Sequence, residues 1–413
     1  VSFSIKESIM KSYIAIAVLI TAPLHAADNW VATWQASPHA AWAAQDFALP
    51  TGVPTTLERQ TVRETARISV GGRRVRIVLS NRYGVQPLVV GEAHLARASV
   101  QADGDGGATG GAADYVLTFG GQRSVAIPPG APAISDPVEM TVAALDKLAV
   151  SVYLPERTAL ATFHWGAQQT GYIADGNRAG AARLPSAQPL NGRALLSGIW
   201  VDAATPAPAL VAFGDSITDG NGSTPDADRR WPDYLAARLS KDGVAVVNAG
   251  ISGARLLGDR MGGNAAARFE QDVLSQPGAH TAVVLIGIND IGWPQSIFAP
   301  QEAPMTAEHM IAAYRQLIAQ ARARKVRIIG ATLLPFEGTQ IAGYYTPAKD
   351  ALRRQVNQWI REGGEFDAVA DFDALLRDPD HPARMQPRYD SGDHLHPGDA
   401  GYEAMAAGLA RLL

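Results

Sequence analysis

The sequence predicts an α/β protein: a doubly wound parallel sheet preceded by a β-sandwich or jelly-roll-like domain. Three observations lead there. Residues 28–204 carry short β-prone runs broken by Gly, Pro and Asp. From residue 205 onward, apolar strand-like runs alternate with amphipathic helical segments. An Ala/Pro-rich stretch, Asp202–Pro208, separates the two patterns. A length of 413 residues is too much for one ordinary domain. Hydrophobic residues at 47% and charged residues at 18% supply ample core and a polar surface.

Residues 1–27 read as an upstream extension followed by a signal peptide. Lys11 precedes an apolar run, Tyr13–Pro23, which exits through His25-Ala26-Ala27-Asp28. A basic residue, a short apolar stretch and small residues form a secretory signal, with cleavage expected after Ala26 or Ala27. The run is too short to span a bilayer comfortably, so no stable membrane insertion is expected. The signal pattern begins at Met10, which marks residues 1–9 as the extension. The expected location is secreted or periplasmic.

In the first folded region, Arg67–Val70 and Val75–Leu79 read as strands joined by a Gly71-Gly72 hairpin. Further strands are expected at Tyr115–Phe119, Val138–Val142 and Leu148–Leu154. Residues 102–113, rich in Gly, Ala and Asp, read as a surface loop. Trp30, Trp34, His39 and Trp42, and the segment Thr162–Thr170 with Trp165, form two aromatic clusters. They suit packing between the domains, with a sugar-binding face or the rim of a neighbouring active site as the alternative.

In the second region, strands are expected at 210–213, 244–247, 281–286, 326–333 and 368–372. Helices are expected at 231–241, 307–324, 346–361 and 397–412. Pro232 near a start and Gly243 past an end mark the first helix. Met310, Ile311, Tyr314, Leu317, Ile318 and Ala321 recur at helical spacing in the second. Strand–helix alternation with right-handed crossovers gives a parallel sheet covered on both faces.

Gly214-Asp215-Ser216 ends the first of these strands, where open α/β sheets place ligands. Serine becomes a nucleophile only when a base takes its proton. Further chemistry-bearing segments follow the other strands: Asn248–Gly253, Gly287–Asp290 and Asp393-His394-Leu395-His396. His394 and His396 compete for the role of base, and Asp390 competes with Asp393 for the role of its partner. Ser252 is a second serine in a glycine-rich turn. His280, His309 and His381 read as surface residues.

These four blocks, in this order from Leu210 to the C-terminus, resemble the SGNH (GDSL) hydrolase family. The resemblance implies that Ser216 is the nucleophile, His396 the general base and Asp393 its orienting carboxylate. It also implies an oxyanion hole made by the backbone N–H of Ser216 and Gly253 and the side-chain amide of Asn289. No cofactor and no metal are expected. The absence of a Gly-x-Ser-x-Gly elbow argues against the α/β-hydrolase fold.

The expected activity is therefore that of an exported serine esterase cleaving short acyl esters, with a small-molecule or carbohydrate ester as substrate. An arylesterase, a lysophospholipase or thioesterase, and an acyltransferase are the alternatives within the family. A carbohydrate-binding protein on an inactive scaffold is the alternative outside catalysis. A formal net charge of -4 gives no electrostatic case for a nucleic-acid partner. The absence of cysteine rules out a disulfide framework and thiolate metal sites. Oligomeric state is not legible.

Overall fold

A computed structural model describes Val1 and residues 28–42, 47, 49, 51–99 and 108–413. The expected extension and signal peptide, apart from Val1, lie outside the described residues, as does the first half of the expected 102–113 loop.

The N-terminal region is β-rich and built from antiparallel sheets. One has four strands, in the order Trp30–Gln35, Leu196–Asp202, Val75–Ser80 and Pro132–Ile134. A second has six, in the order Gln188–Asn191, Thr170–Asp175, Gln60–Arg67, Lys147–Leu154, Glu92–Ala98 and Thr109–Val116, and two-stranded pairings complete the region. Alternate residues of both, among them Val31, Ile77, Val62, Leu95 and Val150, bury into one shared core.

Three sequence expectations are corrected here. Gly71-Gly72 is not a hairpin turn. Gln60–Arg67 pairs with Lys147–Leu154 in one sheet, whereas Val75–Ser80 pairs in the other. The two glycines carry the chain between sheets, and their lack of a Cβ permits close backbone approach: a Cβ would sit 2.3 Å from the Val142 carbonyl oxygen at Gly71 and 2.6 Å from that of Asp202 at Gly72. Val138–Val142 forms no continuous strand, only isolated bridges from Val138 to Val75 and from Val142 to Gly72. Residues 109–113 belong to the edge strand Thr109–Val116, where backbone pairing with Glu92–Ala98 outweighs the weak strand preference of Gly and Ala.

The C-terminal region is a five-stranded parallel sheet in the order Ala245–Gly250, Ala209–Gly214, Ala279–Leu285, Arg327–Ala331 and Ala368–Ala370. Residues of the first two of these strands are buried throughout, as helices on both faces require. The chain leaves Ala209–Gly214 for a neighbour on one side and then crosses to the other. The carboxyl end of that strand, where Ser216 follows, is thus the switch point of the sheet.

The main helices run Trp231–Leu239, Ala307–Ala323, Pro347–Glu362 and Asp399–Ala410, each end within about two residues of expectation, and a 3-10 turn continues the first to Asp242. Phe372, expected in a strand, begins the short helix Phe372–Leu376, because the Asp371 carboxylate caps it by accepting from Ala374 N–H. Ala265–Phe269 and Ile288–Gly292 were not anticipated, being too short to show a period.

The sandwich packs directly on the parallel sheet. Ala245–Gly250 is an edge strand of that sheet, and its outward Val246 N–H donates to the Ser69 hydroxyl at 3.0 Å. Ala32 N–H donates to Pro277 O, Gln35 Nε2 to Asp272 O and Arg67 to Asp233 O, at 2.9, 3.0 and 2.8 Å. Part of the aromatic clusters serves the same contact. Phe47 stacks on Trp293 with centroids 5.5 Å apart, and Trp42 meets Trp165 edge-on at 5.8 Å. Both tryptophans pack against the core of the parallel-sheet domain. Trp42 and Trp165 thus pack between the two regions, whereas Trp34 lies in the sandwich core and Trp30 lies against Arg74 and Arg76.

Candidate active site

Each reactive side chain sits just past a carboxyl end of the parallel sheet. Gly214 ends the first strand with almost no space around it: a Cβ there would lie 2.2 Å from Thr218 Oγ1 and 2.4 Å from Leu285 O. Asp215 then caps the short helix Ser216–Asp219, its Oδ1 accepting from Ile217 N–H at 3.0 Å. The cap places Ser216 as the first helical residue, 6% exposed, with its hydroxyl facing the loop before the last helix.

In that loop the two histidine–carboxylate pairs separate cleanly. His396 Nε2 lies 2.8 Å from Ser216 Oγ, and its Nδ1 lies 2.6 Å from Asp393 Oδ2. Asp393 Oδ1 also accepts from the N–H groups of Leu395 and His396, at 2.9 and 2.8 Å. The carboxylate thereby fixes both the imidazole and the backbone that carries it. His394 turns away, in a left-handed conformation with φ 61°, and pairs with Asp390 at 2.6 Å. Neither His394 nor Asp390 touches Ser216. Burial pushes the Asp393 carboxyl up, but the hydrogen bond and charge of His396 and the two backbone donors outweigh it. The group is held well below the usual carboxylate range.

The second and third blocks meet beside Ser216. The chain passes from Ala245–Gly250 into Ile251-Ser252-Gly253-Ala254. Gly253 is left-handed, with φ 75°, and a Cβ there would meet Met261 Sδ at 2.3 Å. Asn289 holds the next residue, its Nδ2 donating to Ala254 O at 2.9 Å. Its Oδ1 accepts from Trp293 Nε1 at 3.1 Å and from the Tyr344 hydroxyl at 2.7 Å. Two donors on the oxygen fix which end of the amide is which, so the NH2 faces Ala254 and keeps a second hydrogen. Burial pushes the Tyr344 phenol well up, which keeps it a donor. Asp290 completes the clamp, accepting from Leu256 and Leu257 N–H at 2.6 and 2.9 Å.

The five residues named from the sequence, Ser216, Asp393, His396, Gly253 and Asn289, are thus gathered at one sheet edge. Ser252 is buried and bonded to the Asp219 carboxylate, and among the described residues no imidazole is hydrogen-bonded to its hydroxyl. His280, His309 and His381 are exposed, as expected.

Sequence reasoning missed Arg268. Buried under Phe213, it donates to Gly214 O and Ala249 O, each at 2.7 Å, and is paired with Asp272 at 3.0 Å. It ties together the carboxyl ends of the two strands that carry Ser216 and the Gly253 loop. An arginine on a short, weakly periodic helix carries no sequence signal for this role. Among the described residues no group of three or more His, Asp or Glu side chains could hold a metal ion, and no helix is long and apolar enough to cross a membrane.

Asp215 gives the site a pH signature. Burial pushes its carboxyl up from 3.8 to about 7, against the pull of Ile217 N–H and His396. The folded value lies above the unfolded one. Its contribution to stability is therefore complete at low pH and is lost as pH rises through about 7. Asp215→Asn keeps the cap and cannot ionise. Urea titrations should show the variant gaining on wild type from about pH 4 to pH 7 and levelling off above. A stability difference that stays flat or moves in favour of wild type over that range would contradict this assignment.

Residues 212–404 match the family model described as GDSL-like lipase/acylhydrolase. No curated protein matches the chain. Among solved structures, a G-D-S-L family protein described as lipolytic, from Desulfitobacterium hafniense DCB-2, is 23% identical, covering 50% of this chain and 99% of its own, with TM-score 0.38. A catalytic mutant of an acetylxylan esterase from Geobacillus stearothermophilus is 23% identical, covering 49% and 93%, with TM-score 0.38. A protein of Agrobacterium tumefaciens str. C58 described as an arylesterase is 21% identical, covering 50% and 97%, with TM-score 0.38.

Proposed function

We propose that this chain, which through residues 212–404 belongs to the GDSL-like lipase/acylhydrolase family and is a serine ester hydrolase, cleaves short acyl esters through a Ser216–His396–Asp393 triad. The observation that carries the triad is the unbroken hydrogen-bond chain from Ser216 Oγ to His396 at 2.8 Å and on to Asp393 at 2.6 Å.

His396 Nε2 takes the hydroxyl proton as Oγ bonds to the acyl carbon. Asp393 holds the tautomer and stabilises the imidazolium that forms. The carbonyl electrons move onto oxygen, which the N–H groups of Ser216 and Gly253 and the free hydrogen on Asn289 Nδ2 receive. Collapse expels the alcohol oxygen, which takes the proton back from His396. Water then repeats the sequence on the acyl-serine, with His396 accepting its proton, and releases the acid and the free hydroxyl.

The acyl group is read as short, acetyl-sized, because no long apolar lid or membrane-binding helix stands out in the sequence. The alcohol half is read as a carbohydrate and the site of action as outside the cytoplasm. The β-sandwich partner and the signal pattern at residues 10–27 support this, by fold-level analogy.

Two experiments test these readings. Hydrolysis of p-nitrophenyl esters from acetyl to dodecanoyl, run beside acetylated xylan, should be fastest at the short end, and Ser216→Ala should abolish it. Equal or rising rates with chain length would remove the short-acyl reading, and turnover by Ser216→Ala would remove the triad. Asn289→Ala should lower kcat by roughly 10²–10³, with KM much less affected, because its bond strengthens as charge develops on the carbonyl oxygen. Wild-type kcat per titrated site would remove Asn289 from the oxyanion hole.

A further inference from the structure

The residue that precedes the Gly253 oxyanion donor is held from the other domain. Asp219, the last residue of the Ser216 helix, is 1% exposed and uses both carboxylate oxygens. Oδ2 accepts from Ser252 N–H at 3.0 Å and from the Ser252 hydroxyl at 2.6 Å. Oδ1 lies 3.0 Å from Nε2 of His164, a residue of the N-terminal region. The other ring nitrogen, Nδ1, lies 2.8 Å from Ser37 O. Each ring nitrogen thus has its own oxygen partner, one in each domain. His164 and Asp219 are both buried, where a carboxylate without a partner is costly.

The same segment of the sandwich closes on the loop at further points. Gly166, with φ 79°, packs so tightly that a Cβ would come 2.5 Å from Ser252 Oγ. Gln168 Nε2 donates to Asn221 Oδ1 at 3.0 Å, and that oxygen lies 3.1 Å from the Ser252 hydroxyl. The Gly253 loop is therefore gripped on one side by Asn289 and Asp290 and on the other chiefly by Asp219, which takes both the N–H and the hydroxyl of Ser252 and is itself bonded to His164.

We propose that His164 is a positioning residue for the oxyanion hole: through Asp219 it fixes Ser252 and so aims the Gly253 N–H, which makes the β-sandwich part of the active site. The proposal rests on the ester-hydrolase reading above. It gives the sandwich a task that a detachable substrate-binding module would not have, because the accessory domain supplies one end of a buried hydrogen-bond chain that ends beside the reacting carbonyl.

Three substitutions separate the two ends of the imidazole. His164→Gln places an amide near the Nε2 position and can reach Asp219. His164→Asn places one near the Nδ1 position, reaches Ser37 O and falls short of Asp219. His164→Ala loses both. With p-nitrophenyl acetate and active sites titrated by an organophosphate, Ala and Asn should each lower kcat about 10- to 100-fold, the scale on which small displacements of catalytic groups act, with KM nearly unchanged. Gln should stay within about threefold of wild type on the same scale. A purely structural role predicts instead that the variants lower the melting temperature and leave kcat per titrated site alone. If His164→Ala does not fold, the Asn and Gln pair still decides: equal kcat values overturn the proposal. Wild-type protein without ester turnover would remove both readings, whereas wild-type turnover with equal Asn and Gln values removes only this one.

Discussion

The constraint on which this molecule turns is the conformation of one short loop, Ile251–Leu257. Gly253 sits in the left-handed region, and beyond the bond from Ala254 N–H to Ile251 O the loop has little of its own to hold it there. The hold comes from outside. Asn289 takes the Ala254 carbonyl, Asp290 takes two N–H groups beyond it, and Asp219 takes the N–H and hydroxyl of Ser252. These three residues come from the ends of two neighbouring strands and the turn that follows each. The parallel sheet brings them within reach because every strand ends at the same edge.

That arrangement explains why several charged groups are buried around the site. Arg268 adds a donor to the carbonyls of Gly214 and Ala249 at the end of sheet pairing, the former also accepting from Ile251 N–H. Asp290 and Asp215 are both pushed up by burial, the former to about 6, and each accepts backbone N–H groups that pull in the opposite direction. Asp393, half in solvent and hydrogen-bonded to an imidazole, is driven down instead. Burial and hydrogen bonding thus set three carboxyl groups within one site to different protonation behaviour, with Asp393 the one that stays ionised beside His396.

Much of this was legible in the sequence, and the reason is local. The strands and long helices of the second region follow from apolar periodicity and from Pro and Gly at their ends. Ser216, Gly253, Asn289, Asp393 and His396 stand in blocks whose order is itself informative. What the sequence hid depends on residues far apart in the chain. His164 and Asp219 are 55 positions apart and in different domains. Tyr344 orients Asn289 from the same distance along the chain. Gly71-Gly72 has the composition of a hairpin turn, and only the pairing of its flanking strands shows that it joins two sheets. The separation of His394 from His396 is likewise a matter of backbone: the left-handed turn at His394 sends the two rings to different carboxylates.

The central claim is that a carbonyl oxygen attacked by Ser216 lands among the N–H groups of Ser216 and Gly253 and the Asn289 amide. The most direct measurement is a crystal structure of the protein inactivated by an organophosphate, whose phosphoryl oxygen occupies the place of the oxyanion. The account predicts a covalent bond to Ser216 Oγ and a phosphoryl oxygen within about 2.7–3.1 Å of all three donors. An adduct on Ser252, or an oxygen on Ser216 that points away from Gly253 and Asn289, would contradict it.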